Sequence, residues 1–219
     1  HFSVKTISRS AGRSAVACSA YRSGEKLIDE RQGKEQDYTR KTGVEFTKIY
    51  APENTNPELL DRNQLWNTVE KVERRKDANL AREFEIAFPH ELNAEQRQSM
   101  LNEICQELVK RHGVVVDAAI HAPHTQSGSD ERNYHAHIMF TGRQIDLETG
   151  DFAKKRNRDF NKENSSQTVN QWRETFADIT NKHLEKNGFD ECIDHRSYKD
   201  LNNGLTPTQH EGSAVTALR

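Results

Sequence analysis

The chain has 219 residues, of which 30% are charged and only 33% hydrophobic, with a formal net charge of −2. That length supports one large domain or two small ones with a real core, while no apolar run approaches the ~20 residues of a membrane helix and no secretory hydrophobic segment is present. Cys18, Cys105 and Cys192 are far apart, odd in number and form no CxxC pair, which points to reduced thiols in a cytoplasmic protein rather than a disulfide framework.

In chain order, residues 1–7 alternate through Phe2 and Val4 and read as a strand. Small residues from Ala15 to Ala20 favour a helix that Gly24 ends, with Tyr21 in its last turn. Residues 25–42 are charged and without periodicity, so a loop is expected there. Val44 to Tyr50 reads as a strand stopped before Pro52. Asn56-Pro57 is an N-cap and first-turn pair for a helix presenting Leu65, Trp66, Val69 and Val72. A strand follows over 80–88, with Phe84, Ile86 and Phe88 on one side and Glu83 and Glu85 on the other. The spacing of Leu101, Ile104, Cys105 and Leu108 predicts a helix over 94–112.

Two strands follow, joined by a polar loop, within AAIHAPHTQSGSDERNYHAHIMF (118–140). Residues 154–167 read as loop, and a helix over 168–187 buries Val169, Trp172, Phe176 and Ile179; the segment after Gly188 is loop-rich. Strands with intervening helices and one hairpin argue for an α/β (α+β) sandwich around a mainly antiparallel sheet. One domain over 1–219 is expected, with the main sandwich in 1–190 and a loop-rich extension in 191–219. The start at His rather than Met reads as a domain excised from a longer protein.

The chemistry concentrates on the two strands after residue 116. Strand side chains alternate faces, so His135 and His137 project together with Ala136 turned behind them, and an antiparallel partner brings His121 onto the same face. Three imidazoles from two strands make a site for one divalent metal with positions open to substrate. Isolated histidines are usually surface or satisfied core residues; a third histidine across a hairpin weighs against that reading here. A histidine shell without carboxylate keeps the site positive, which suits a phosphodiester.

Charge distribution points the same way. Residues 1–50 hold ten Lys/Arg against six Asp/Glu, and basic clusters stand at Arg74-Arg75-Lys76 and from Lys154 through Lys155 and Arg156 to Arg158. Such runs are most often solvated faces, but these flank the histidines in sequence and fit phosphate binding. Among the five tyrosines, Tyr21 alone closes a small-residue helix able to pack closely on a sheet; from the residues alone the structural reading is still favoured for it.

HFSVKTISRSAGRSAVACSAYRSGEKL, LAREFEIAFPHEL, IHAPH…DERNYHAHIMF and DHRSYKDLNNGLTPTQHEG, in this order over nearly the whole chain, resemble the MobA/MobL family of plasmid relaxases, members of the HUH endonuclease superfamily. The HUH pattern, two histidines around a hydrophobic residue, stands here as His135-Ala136-His137. The resemblance implies a central antiparallel sheet with helices on both faces. It also implies site- and strand-specific nicking at a plasmid origin of transfer, through a tyrosine that becomes bonded to the 5′-phosphate and later permits rejoining.

By motif, the resemblance makes Tyr21 the nucleophile and His121, His135 and His137 the ligands of one divalent ion, Mn²⁺ or Mg²⁺, with Zn²⁺ or Ni²⁺ also accommodated by imidazoles. It places an assisting carboxylate at Glu83, with Glu85 second, as base toward the tyrosine or orienter of a histidine. Arg75 matches a basic position facing the phosphate backbone, with Arg74, Lys76, Lys154, Lys155 and Arg156 as further DNA contacts, and His1 falls at the N-terminal strand motif. His124 is an alternative third ligand, though it follows Pro123 and falls outside the expected pairing.

Implied partners are single-stranded or hairpin origin DNA, relaxosome accessory proteins and a conjugative coupling protein; the implied location is the bacterial cytoplasm, with passage to the recipient alongside the DNA. Rolling-circle replication initiators share the histidines, but in them the nucleophile follows the histidines, and the helix over 168–187 has no tyrosine. A hydrolytic metal nuclease, or a DNA-binding module with structural zinc, leaves Tyr21 or the absence of nearby cysteine unexplained.

Overall fold

A computed structural model of the chain describes residues 1–123 and 134–194. Five strands, β1 (Phe2–Ser8), β4 (Val44–Tyr50), β5 (Asn79–Ala87), β6 (Val116–His121) and β7 (His135–Thr141), form one sheet in the order β1-β5-β7-β6-β4, with every neighbouring pair antiparallel. The helices α1 (Ala15–Ser23) and α2 (Arg62–Val72) cover one face, and α3 (Ala94–His112) and α4 (Ser165–Lys186) cover the other. The expected sandwich with helices on both faces is the observed architecture. Covered on both sides, β6 is buried at every residue, which explains its nearly unbroken apolar run.

Each face carries its own core. Phe84, Ile86, Ile138 and Phe140 meet Leu101, Ile104, Leu108, Trp172 and Phe176 on the α3–α4 side. Ile7, Leu80, Val115 and Met139 meet Val16, Leu65, Trp66 and Val69 on the other. The alternation in β5 therefore sends Phe84 and Ile86 to one layer and Glu83 and Glu85 to the other.

Caps set the helix limits. Asn93 and Gln96 form a reciprocal capping box at the start of α3, and Gly113, at φ 67°, ends it in the left-handed conformation, so the expected bounds and the observed ones coincide. In α1, the Ser14 side chain accepts from the Ala17 amide at 3.2 Å, and Gly24 closes the helix at φ 69°. A side chain at position 24 would also meet Val44 at 3.2 Å, so this turn is closed to larger residues.

Two expectations are corrected. Residues 25–42 are not all loop: β2 (Lys26–Asp29) and β3 (Lys34–Asp37) form a separate antiparallel hairpin. Its inward positions are Leu27, Asp29 and Gln36, and the buried Asp29 accepts from Ser14 Oγ at 2.6 Å, so polar anchoring replaces the apolar alternation that marks a strand. The Asn56-Pro57 pair caps only a short 3-10 turn, Pro57–Leu60, and α2 starts anew with Asp61 as its cap to the Gln64 amide.

Candidate active site

The three histidines of the two central strands converge on the α1–α2 face. His121 pairs with His135 across β6 and β7, and His137 lies two residues along the same face. Their ring centroids are 4.9 to 5.4 Å apart, and their ligand nitrogens all fall within 4.8 Å of one another. His124 lies outside the described residues.

Glu83 projects from the neighbouring strand beneath this cluster and is almost fully buried, with 1% exposure. Its Oε1 accepts from Nδ1 of His137 at 2.6 Å, which fixes the tautomer and leaves Nε2 as the basic nitrogen. Its Oε2 lies 2.5 Å from Nε of Arg22, a close and well-shielded ion pair. Burial alone would raise the carboxyl pKa, but the His137 bond and the Arg22 charge outweigh it and hold the group below the usual carboxylate range. Glu85, directly opposite His137, is more open and pairs with Lys5 at 2.9 Å.

His121 is the most buried of the three, and that burial pushes its pKa down to about 4, against the opposing effect of a hydrogen bond to the Arg22 carbonyl. Nε2 donates in that bond, at 2.7 Å. A histidine held neutral near pH 7 keeps a lone pair for a cation. The donor set, three imidazoles with one oriented by a buried carboxylate, fits a divalent ion, which His121, His135 and His137 would hold.

Tyr21 stands in the last turn of α1, next in sequence to the Arg22 whose carbonyl meets His121, and is half exposed. The ring of Tyr38 meets it edge-on at 5.3 Å, and Lys41 Nζ sits 3.6 Å from its centroid while donating to the Tyr21 carbonyl at 2.7 Å. Burial, and then the Arg22 charge, bring the Lys41 ammonium down to about 8. Tyr21 is thus held on two sides of its ring, with half of its surface open.

Beneath α1, the buried Asp117 of β6 binds both helices of this face. It accepts from Ser19 Oγ at 2.6 Å, from Trp66 Nε1 at 2.8 Å and from Arg62 Nε at 3.0 Å. Asp117 and His121 share a face of β6, so the strand that carries a histidine also sets the height and rotation of the helix that carries Tyr21. Sequence reasoning missed Arg22, Lys41 and Asp117. Only Asp117 had a visible signal, as the one charged residue inside an apolar strand.

The two basic clusters do meet, but elsewhere. Arg74, Arg75, Lys154 and Arg156 line one groove of about 930 Å³ beside the first residue of β5. Asn79 and Glu85 are six residues apart on one strand, which places the groove roughly 20 Å from the histidines, at the opposite end of the sheet. Within it, Arg143 and Arg156 both pair with the buried Glu73, and Arg75 pairs locally with Asp77. Arg74 and Lys154 are exposed on its wall; Lys76 and Lys155 are exposed nearby in sequence. His1 immediately precedes edge strand β1, which β5 separates from β7, and its carbonyl accepts from the Ala87 amide at 3.1 Å.

A model of the MobA/MobL family matches residues 13–219. The chain belongs to the MobA/MobL family. It is 34% identical to a mobilization protein MobL of Acidithiobacillus ferridurans over 100% of this chain and 63% of that protein. It is 31% identical to a conjugal transfer protein TraA of Rhizobium radiobacter, covering 100% of this chain but 22% of the relative. The chain therefore spans less than two thirds of either protein. A solved structure from work on the molecular basis of vancomycin resistance transfer in Staphylococcus aureus superposes with a TM-score of 0.80 at 33% identity, covering 90% of this chain and 98% of the other. The MobA/MobL match thus takes in both histidine strands and the helix of Tyr21.

Proposed function

We propose that this MobA/MobL domain nicks one strand of origin-of-transfer DNA by transesterification, with Tyr21 as nucleophile and His121, His135 and His137 as ligands of a Mn²⁺ or Mg²⁺ ion. The observation that carries this reading is the joining of Tyr21's helix to the histidine cluster, through the Arg22 carbonyl on His121 and the Arg22 side chain on Glu83. Bound there, the ion would polarise the non-bridging oxygens of the scissile phosphate and offset charge in the transition state.

Tyr21 Oη attacks phosphorus, the bond from phosphorus to the 3′-oxygen breaks, and the 3′-oxygen leaves and is protonated as a 3′-hydroxyl. The phenol proton passes to solvent or a nearby base. The bond energy is kept as a 5′-phosphotyrosine, so a 3′-hydroxyl can reverse the step without ATP. Both oxygens of Glu83 are engaged, by His137 and Arg22, which favours Glu83 as the orienter of His137 over a base toward Tyr21. Lys41 and Tyr38 keep the Tyr21 ring from turning away.

The distant groove suits a duplex arm of the same DNA, with Arg74, Arg75 and Lys154 facing phosphates and Arg156 braced by Glu73. We assign the protein to the donor cytoplasm, with passage to the recipient on the transferred strand, and to a relaxosome with accessory and coupling proteins. No helix among the described residues is long and apolar enough to cross a membrane. Residues 1–190 act as the core of one domain, and the motif DHRSYKDLNNGL, which falls largely from residue 195 onward outside the described residues, belongs to its extension.

Incubation of the protein with an origin oligonucleotide and Mn²⁺ tests the reading. A denaturation-resistant adduct mapping to Tyr21 is expected, together with an upstream fragment bearing a free 3′-hydroxyl. Tyr21→Phe should bind the DNA and form no adduct. Cleavage by that variant, or cleavage by the wild type without an adduct, refutes the tyrosine mechanism and points to hydrolysis.

A further inference from the structure

Arg22 is the residue immediately after Tyr21, and it reaches the histidine cluster in two ways. Its carbonyl accepts from His121, and its guanidinium pairs with the Glu83 oxygen that His137 does not use. The side chain is 14% exposed against 1% for Glu83, so the pair is shielded from water and screening by salt is weak. A second contact, from Nη1 to the Cys18 carbonyl at 3.1 Å, braces the guanidinium against its own helix.

From this geometry we infer that Arg22 is a positioning residue for the metal site, clamping the Glu83 carboxylate in the one orientation that orients the His137 imidazole. The physical reason is the burial of Glu83. A carboxylate with so little exposure needs a partner for each oxygen, because no water replaces one that is missing. His137 serves Oε1 and Arg22 serves Oε2. Without the guanidinium, Oε2 faces no cation, the carboxylate is free to turn, and His137 loses the fixed acceptor that sets its ring and tautomer. The contact runs through the single nitrogen Nε rather than the two-pronged end of the guanidinium, so a restored positive charge should carry most of the effect. The backbone carbonyl of residue 22 survives any substitution, so side-chain variants isolate this one arm.

The inference rests on the metal reading of the three histidines, and the test separates the two. Mn²⁺ affinity is measured by calorimetric titration of the DNA-free protein. Arg22→Ala and Arg22→Gln should each weaken binding by up to about 10- to 100-fold, the scale for losing the carboxylate support of a ligating histidine, here lost through Glu83. Arg22→Lys, which restores the charge, should recover most of the loss. In a Glu83→Gln background, Arg22→Gln should have almost no further effect, because the two residues act in series.

In the metal-free protein, the Nδ1–H proton of His137 should move toward its water-exchanged position in Arg22→Gln and not in Arg22→Lys. A merely structural arginine would lower the melting temperature and leave both readouts in place. If Arg22→Ala does not fold, the Gln and Lys variants carry the same comparison. Wild-type binding with Arg22→Gln unchanged overturns the role of Arg22 alone. Failure of the wild type to bind Mn²⁺ overturns the metal reading and this inference with it.

Discussion

Replacing Asp117 by Asn changes one oxygen to an NH₂ and keeps the side-chain volume, so its effect isolates charge and hydrogen bonding. In the native protein both carboxylate oxygens accept, Oδ2 from Ser19, Trp66 and Arg62 and Oδ1 from Arg62. An amide can offer only one acceptor oxygen, so its NH₂ must face one of these donors. Arg62 loses the partner that neutralises it inside the protein and retains only the pairing with Glu25, whose side chain is 45% exposed. Breaking a buried pair on one side costs about 3–5 kcal/mol. The surviving Glu25 pairing places the cost at the lower end of that range, about 3 kcal/mol.

Urea unfolding of the metal-free protein should show a lower midpoint at an unchanged slope. Breaking the exposed Lys71–Glu30 pair by Lys71→Met serves as the control and should change stability by less than about 1 kcal/mol. A change below about 1 kcal/mol in Asp117→Asn, no larger than that of an exposed pair, would refute the view that this carboxylate bolts α1 and α2 to the sheet.

Three further outcomes are expected. His135→Ala and His137→Ala should each remove most of the bound divalent ion, read by elemental analysis after desalting; retention in both would place the ion elsewhere. Arg74→Gln with Lys154→Gln should weaken DNA binding and flatten the plot of log affinity against log salt by about 0.7–0.9 for each phosphate no longer neutralised, and an unchanged slope would remove the groove from the DNA path. His112 of α3 is held neutral, chiefly by burial, with Nδ1 on Asp159 at 2.8 Å and Nε2 accepting from Trp172 at 2.9 Å. Because burial lowers its folded pKa below the ordinary 6.5, its contribution is complete above that value and is lost as pH falls toward and through the lowered one. The slope of unfolding free energy just below pH 6.5 should therefore be shallower in His112→Gln than in the wild type, and equal slopes would refute this assignment.

The sequence by itself determined the elements with strong local rules. The α3 limits follow from Asn93, Gln96 and Gly113 because capping satisfies backbone groups within a few residues. The facing of Glu83 and Glu85 away from Phe84 and Ile86, and of His135 with His137, follows from the strict two-residue period of a strand. Even the convergence of His121 on those two was legible, since a hairpin register brings opposite residues together. The family resemblance nominated Tyr21 and Glu83 as candidates, which no period singles out.

Tertiary structure alone decided what depends on distant chain segments. The 26–37 hairpin is anchored by Asp29 on Ser14, and a polar anchor gives no hydrophobic alternation to read. The basic clusters at 74–76 and 154–156 are 80 residues apart, and only the ends of β5 and β7 bring them to one groove, away from the histidines they flank in sequence. Asp117 holds Ser19, Trp66 and Arg62 from two other elements, and Arg22 meets Glu83 across 61 positions. A charge in the sequence says nothing of its partner; burial makes the partner obligatory, and only the packed fold says which one it is.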